Sequence, residues 1–170
     1  MHKKSKSGFT LVELLVVIGI IGILTTFVLI NLSSAREKSK IARVQADLRQ
    51  LHTGIEELYF DTGRYPNGEP EIPCVNEVDD NEIFLNTCEA GLACEDGNFS
   101  NWDGPYVGNV TADPWGSDYL YDTDYQCFTD IQGCELFPDG EQVRALVSFG
   151  PNMTGINVYD EDDIVLVVCK

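Results

Sequence analysis

The seventeen residues Leu14–Ile30 carry no charge and are mostly apolar. At helical rise they span roughly 26 Å, and counted from Phe9 roughly 33 Å, enough to cross a hydrocarbon core. Beyond this run the pattern turns periodic. Ile41, Val44, Leu48, Leu51, Ile55 and Leu58 follow at spacings of 3, 4, 3, 4 and 3, the stripe of an amphipathic helix. No proline precedes Pro66. One helix from about residue 9 to about residue 61, roughly 80 Å long, is therefore predicted. It stops at Asp61-Thr62-Gly63. The stripe lasts about three heptads, short for a coiled-coil seam, and is assigned to packing against a sheet of the same chain. Strands are predicted at Val143–Phe149, at Ile164–Cys169 and in the Tyr-rich stretch around Tyr119–Tyr121. Residues 67–101 show little periodicity and read as a long loop holding a short helix at Glu82–Leu85. The fold class is α+β: a long N-terminal helix packed on a small antiparallel β-sheet head.

Charge sharpens this division. The 170 residues carry a formal net charge of -17. Lys3, Lys4 and Lys6 precede the apolar run, and Arg36, Lys38, Lys40, Arg43 and Arg49 follow it. From residue 50 onward 25 acids face only Arg64, Arg144 and Lys170. Such a head has no basic surface to replace phosphate counterions, so direct nucleic-acid binding is excluded. The two histidines, His2 and His52, leave little for His-based catalysis. No nucleophile elbow, metal triad or phosphate loop occurs, and an enzyme is not expected. The six cysteines, Cys74, Cys88, Cys94, Cys127, Cys134 and Cys169, lie in the head without Cys-x-x-Cys spacing. Disulfides in an oxidising compartment are favoured over buried thiols. Fifteen pairings exist for six cysteines. Cys127 and Cys134 form the natural local pair, because the intervening FTDIQG reads as a turn.

A secretory signal peptide would also have a basic start and an apolar run, with Ser33, Ser34 and Ala35 at its cleavage site. The run exceeds a usual signal core, and Glu13 places a costly carboxylate at its edge. The residues Gly8-Phe9-Thr10-Leu11-Val12-Glu13-Leu14-Leu15 instead resemble the leader junction of type IV prepilins and type II secretion pseudopilins. The resemblance implies cleavage between Gly8 and Phe9 by a membrane prepilin peptidase, then N-methylation of Phe9. It also implies that Glu13 sets subunit register by pairing with the terminal amine of the next subunit. Relatives often carry a proline near the end of the apolar run. Here that place reads Leu29-Ile30-Asn31.

The head extends the likeness. Asp61-Thr62-Gly63-Arg64-Tyr65-Pro66, Trp102-Asp103-Gly104-Pro105-Tyr106 and Asp113-Pro114-Trp115-Gly116 resemble segments of the major type II secretion pseudopilin. Bottom-up, the last two are turns beside a Tyr-rich strand, and Trp102 and Trp115 read as core packing. Residues 150–163 hold Asp160, Glu161, Asp162 and Asp163 in succession. Oxygen ligands suit calcium, and the resemblance implies a calcium loop here, with Asn152, Asp160, Asp162 and Asp163 as candidates. A plain acidic turn is the alternative, since Asn152 stands where the family has Asp.

The expected organisation is a leader at 1–8, a membrane and filament-core half-helix at 9–35, an amphipathic half-helix at 36–62 and a disulfide-containing head at 63–170. The resemblance implies a structural subunit of a type IV pilus or a type II secretion pseudopilus, a homo-oligomeric helical filament. Its partners would be the prepilin peptidase, an inner-membrane assembly platform protein, the membrane and other minor pilins or pseudopilins. The precursor would cross the cell membrane once with its head outside the cytoplasm, and the assembled filament would be periplasmic or extracellular. A minor tip-located pilin acting as an adhesion module is the alternative.

Overall fold

The computed structural model describes residues 8–66, 68 and 82–169; at 27–31 and 169 it describes the backbone but not the side chains. Helix α1 runs Leu11–Thr62, and the residues up to Ser39 form a compact unit apart from Lys40–Lys170. The helix begins and ends on local chemistry. Thr10 and Glu13 bond reciprocally at its start. At its end Gly63 takes φ 70°, and its N–H reaches the Tyr59 carbonyl at 2.8 Å. That left-handed closure is cheap only for glycine.

In the second unit, strands β1 (Ile83–Phe84), β2 (Leu120–Cys127), β3 (Glu141–Ser148) and β4 (Ile164–Cys169) form one antiparallel sheet in the order β1-β2-β3-β4. β4 has the bounds expected of it. The short helix expected at Glu82–Leu85 is absent. Ile83 and Phe84 instead pair with Tyr121 and Leu120 as β1, and the helical turn nearby is a 3-10 turn at Cys88–Ala90. Two residues cannot display alternation, so cross-strand pairing decides their state.

Side chains alternate across the sheet. Tyr119, Tyr121, Leu146 and Ile164 join the helical stripe of Val44, Leu48, Leu51, Ile55 and Leu58 in one core. Leu120, Ala145, Val147 and Val165 face a second core with Ile131, Cys134 and Phe149. Burial on both faces explains why β3 reads as a nearly continuous apolar run. A bulge in β2 sets Thr123 and Asp124 against Arg144, between the pairs Asp122–Ala145 and Tyr125–Val143. The extra residue turns Tyr125 into the second core rather than the first.

Candidate functional site

The N-terminal segment carries the residues singled out for processing and register. Glu13 Oε2 accepts the Thr10 N–H at 2.8 Å and the Thr10 hydroxyl at 2.9 Å, and Thr10 Oγ1 accepts the Glu13 N–H at 3.3 Å. This is a capping box, and it satisfies helix donors that otherwise have no partner. The signal was present in the sequence as Thr10-x-x-Glu13. Around it Phe9 is 86% exposed, and the large apolar side chains from Leu11 to Leu24 are exposed on every side of the helix. A helix apolar all round needs a lipid or protein surround. Among the described residues no helix is long and apolar enough to cross a membrane.

In the loop between β3 and β4, the four calcium candidates separate. Asn152 Nδ2 donates to Asp160 Oδ2 at 2.8 Å, and the Asp162 N–H donates to Asp160 Oδ1 at 3.0 Å. Asn152 and Asp160 therefore close the loop on each other. Asp163 differs: it is 1% exposed, its Oδ2 accepts the Tyr125 hydroxyl at 2.7 Å, and its Oδ1 has no partner. Burial, followed by the charges of Asp160 and Asp162, pushes its carboxyl up to about 7, against hydrogen bonds from the Tyr125 hydroxyl and the Asp160 backbone. An enclosed oxygen without a donor suits a cation, so Asp163 fits a calcium ligand. The carboxylates that do gather lie elsewhere, at Glu82, Asp122 and Asp124; the sequence reading did not single these out.

Among the described residues two disulfides fix the head, Cys88–Cys94 and Cys127–Cys134. The second is the local pair expected from the turn. Cys74 and the side chain of Cys169 lie outside the described residues. Trp102 donates Nε1–H to the Gly91 carbonyl at 2.6 Å, and Trp115 packs partly buried against the first core beneath Lys40, so both serve packing. The Asp113-Pro-Trp-Gly turn is organised by Asp113. Its Oδ1 accepts the N–H groups of Trp115, Gly116 and Ser117 at 3.0, 2.8 and 3.0 Å, and its Oδ2 accepts the Ser148 hydroxyl at 2.6 Å. This bond ties the turn to the end of β3, where the acidic loop begins.

Residues 3–29 match the prokaryotic N-terminal methylation motif, and residues 31–142 match type II secretion system protein G. Among relatives, type II secretion system core protein G of Aeromonas hydrophila is 33% identical over 119 residues, 70% of this chain and 74% of the relative. The corresponding protein of Klebsiella pneumoniae is 32% identical over 112 residues, 66% of this chain and 71% of the relative. That of Vibrio cholerae serotype O1 is 29% identical over 118 residues, covering 69% and 71%. No solved structure matches the chain significantly. The methylation motif, the protein G region and the α+β head agree: the chain belongs to the type II secretion system protein G family, whose members are structural pseudopilins and not enzymes.

Proposed function

We propose that this chain is inserted in the cell membrane as a single-pass precursor with its head outside the cytoplasm. Prepilin peptidase cuts it between Gly8 and Phe9 and methylates the Phe9 amine. The product then polymerises through its N-terminal helix into the core of a pseudopilus, alongside other pseudopilins and on an inner-membrane assembly platform. The observation that carries this reading is the helix that begins at Leu11 with exposed apolar side chains on every face and a single carboxylate, Glu13, in its first turn. Lipid covers such a surface in the precursor, and neighbouring helices cover it in a filament. In that apolar surround Glu13 pairs with the methylated amine of the next subunit, because an unpaired buried charge is costly. The family match favours a core filament subunit over a tip-located adhesion pilin.

Intact-mass measurement of the protein from cells holding the secretion machinery tests the first step. Loss of residues 1–8 with gain of one methyl group supports it; an uncut chain, or one cut after Ala35, rejects it. Filament formation by a Glu13→Ala variant tests the register role, and normal filaments from that variant would reject the pairing.

The same reading places calcium in the loop at 150–163, with Asp163 as its buried ligand. What supports it is the partnerless Asp163 Oδ1. Loss of calcium-dependent stabilisation in Asp163→Asn, against unchanged stabilisation, decides this part separately.

A further inference from the structure

A second group of carboxylates lies across β1 and β2. Ile83 pairs with Tyr121, which places Glu82 on the rung of Asp122. The β2 bulge brings Asp124 to the same place, and Glu82, Asp122 and Asp124 each offer an oxygen within 4.8 Å of the others. Like charges directly opposite one another in a sheet repel, so the gathering alone is a cost.

The surroundings of these oxygens are a separate observation. Asp122 is 1% exposed, and among the described residues no side chain donates to it. The Asp124 N–H donates to its Oδ1 at 2.9 Å, a bond inside the group itself. Asp124 Oδ1 is enclosed and has no partner. The buried cation of the neighbouring strand, Arg144, is directed elsewhere, over the Tyr65 ring at 4.8 Å. Buried carboxylates are ordinarily paired, hydrogen-bonded or metal-bound. Here the first two are lacking beyond one backbone bond.

We propose that Glu82, Asp122 and Asp124 bind a divalent hard cation, calcium, at a site distinct from the loop that holds Asp163. The donors are all oxygens, which disfavours zinc and copper. Calcium tolerates irregular geometry, and the half-buried Glu82 and Asp124 leave room for the waters that complete its shell. Without the ion, burial first and then the neighbouring acids push the Asp122 carboxyl well above the usual carboxylate range. The competing state is thus a protonated Asp122. The site stands on this cluster alone and is independent of how the chain is processed or assembled.

The test is calcium titration calorimetry on the full chain in detergent after chelator treatment. Wild-type protein binds calcium at this site with a dissociation constant of about 1 mM or tighter, the range of extracellular modules. Asp122→Asn, Asp124→Asn and Glu82→Gln each weaken that binding at least about tenfold, one coordinating charge being worth that much or more, while Asp163→Asn keeps it. Circular dichroism checks folding, and if Asp122→Asn does not fold, the two half-buried positions carry the test. Wild-type affinity in both Asp124→Asn and Glu82→Gln would overturn the proposal. So would an absence of calcium binding by the wild-type chain, which would leave protonation of Asp122 as the explanation, or calcium binding abolished by Asp163→Asn alone.

Discussion

Tyr119 donates its hydroxyl hydrogen to Asp47 Oδ2 at 2.9 Å, bonding the residue before β2 to the second turn of the amphipathic half-helix's buried stripe. The phenol is buried while Asp47 remains half exposed and also meets Arg43 at 3.5 Å. Burial first, and then the Asp47 carboxylate, push the Tyr119 phenol well above its ordinary range, so it stays a donor. A hydrogen bond to a charged acceptor is worth about 1.5–3 kcal/mol. Tyr119→Phe removes the bond and keeps the ring. We expect a loss near the lower end, about 1.5 kcal/mol, because Asp47 regains water. Urea unfolding checks it, and an unchanged midpoint would mean that the ring alone holds the helix there.

Asp113 gives a larger effect. It is buried and receives three backbone N–H groups and the Ser148 hydroxyl. Asp113→Ala leaves the buried Ser148 hydroxyl and three part-buried N–H groups without their acceptor, each lost bond costing about 1–3 kcal/mol. A loss above about 3 kcal/mol is expected, well beyond that of an ordinary surface substitution. Ser148→Ala removes one of the four bonds and is expected to cost about 1 kcal/mol. Thermal or urea unfolding of the two variants side by side gives the comparison, and equal losses would contradict it.

The capping box separates two roles of one residue. Thr10→Ala removes a cap worth about 1 kcal/mol of local helix stability. It leaves the Glu13 carboxylate in place. Filament assembly is therefore expected to survive Thr10→Ala and to fail in Glu13→Ala. Electron microscopy of filaments from both variants is the measurement. Equal failure would show that the cap, rather than the charge, is what assembly needs.

Much of this was legible from spacing. The stripe from Ile41 to Leu58 returned as the core face of the helix, since six apolar positions leave little choice of face. β4 returned with its expected bounds because it is apolar throughout and ends the sheet. What escaped depends on pairing rather than on local pattern. β1 is only Ile83–Phe84, too short for any period. The bulge at Thr123–Asp124 exists only relative to Arg144, and without it the convergence of Glu82, Asp122 and Asp124 is invisible among 28 acids. The calcium loop read from resemblance was weakest where the matched protein G region ends, at residue 142. There the structure engages Asn152 and Asp160 with each other and leaves Asp163 with a buried, partnerless oxygen.

The disulfides follow from the pairings found. Cys127–Cys134 closes a sequence separation of 7, and loop-closure entropy assigns such a bridge about 2.5 kcal/mol. Replacing both cysteines with serine is expected to lower stability by that amount or less. With Cys88–Cys94 also formed, Cys74 and Cys169 are the one pair the sequence leaves. Thiol counting on unfolded protein before and after reduction is expected to give none and then six, and two free thiols before reduction would refute a third bridge.

Gly54 sits within the helix, where Gly→Ala ordinarily gains about 1 kcal/mol. Here the opposite sign is expected. A Cβ at residue 54 would lie 2.6 Å from Val107 Cγ2 and 3.6 Å from the Tyr106 carbonyl oxygen. Val107 is buried and β-branched, so its methyl cannot swing clear at low cost. Overpacking of this kind costs about 1–3 kcal/mol, enough to cancel the propensity gain and leave a net loss near 1 kcal/mol in Gly54→Ala. The double variant Gly54→Ala with Val107→Ala removes the collision and keeps the propensity gain. A double-mutant cycle by urea unfolding is therefore expected to show favourable coupling of at least about 1 kcal/mol. Strict additivity would mean that the Tyr106–Val107 backbone, rather than the valine methyl, sets the distance of closest approach to the helix.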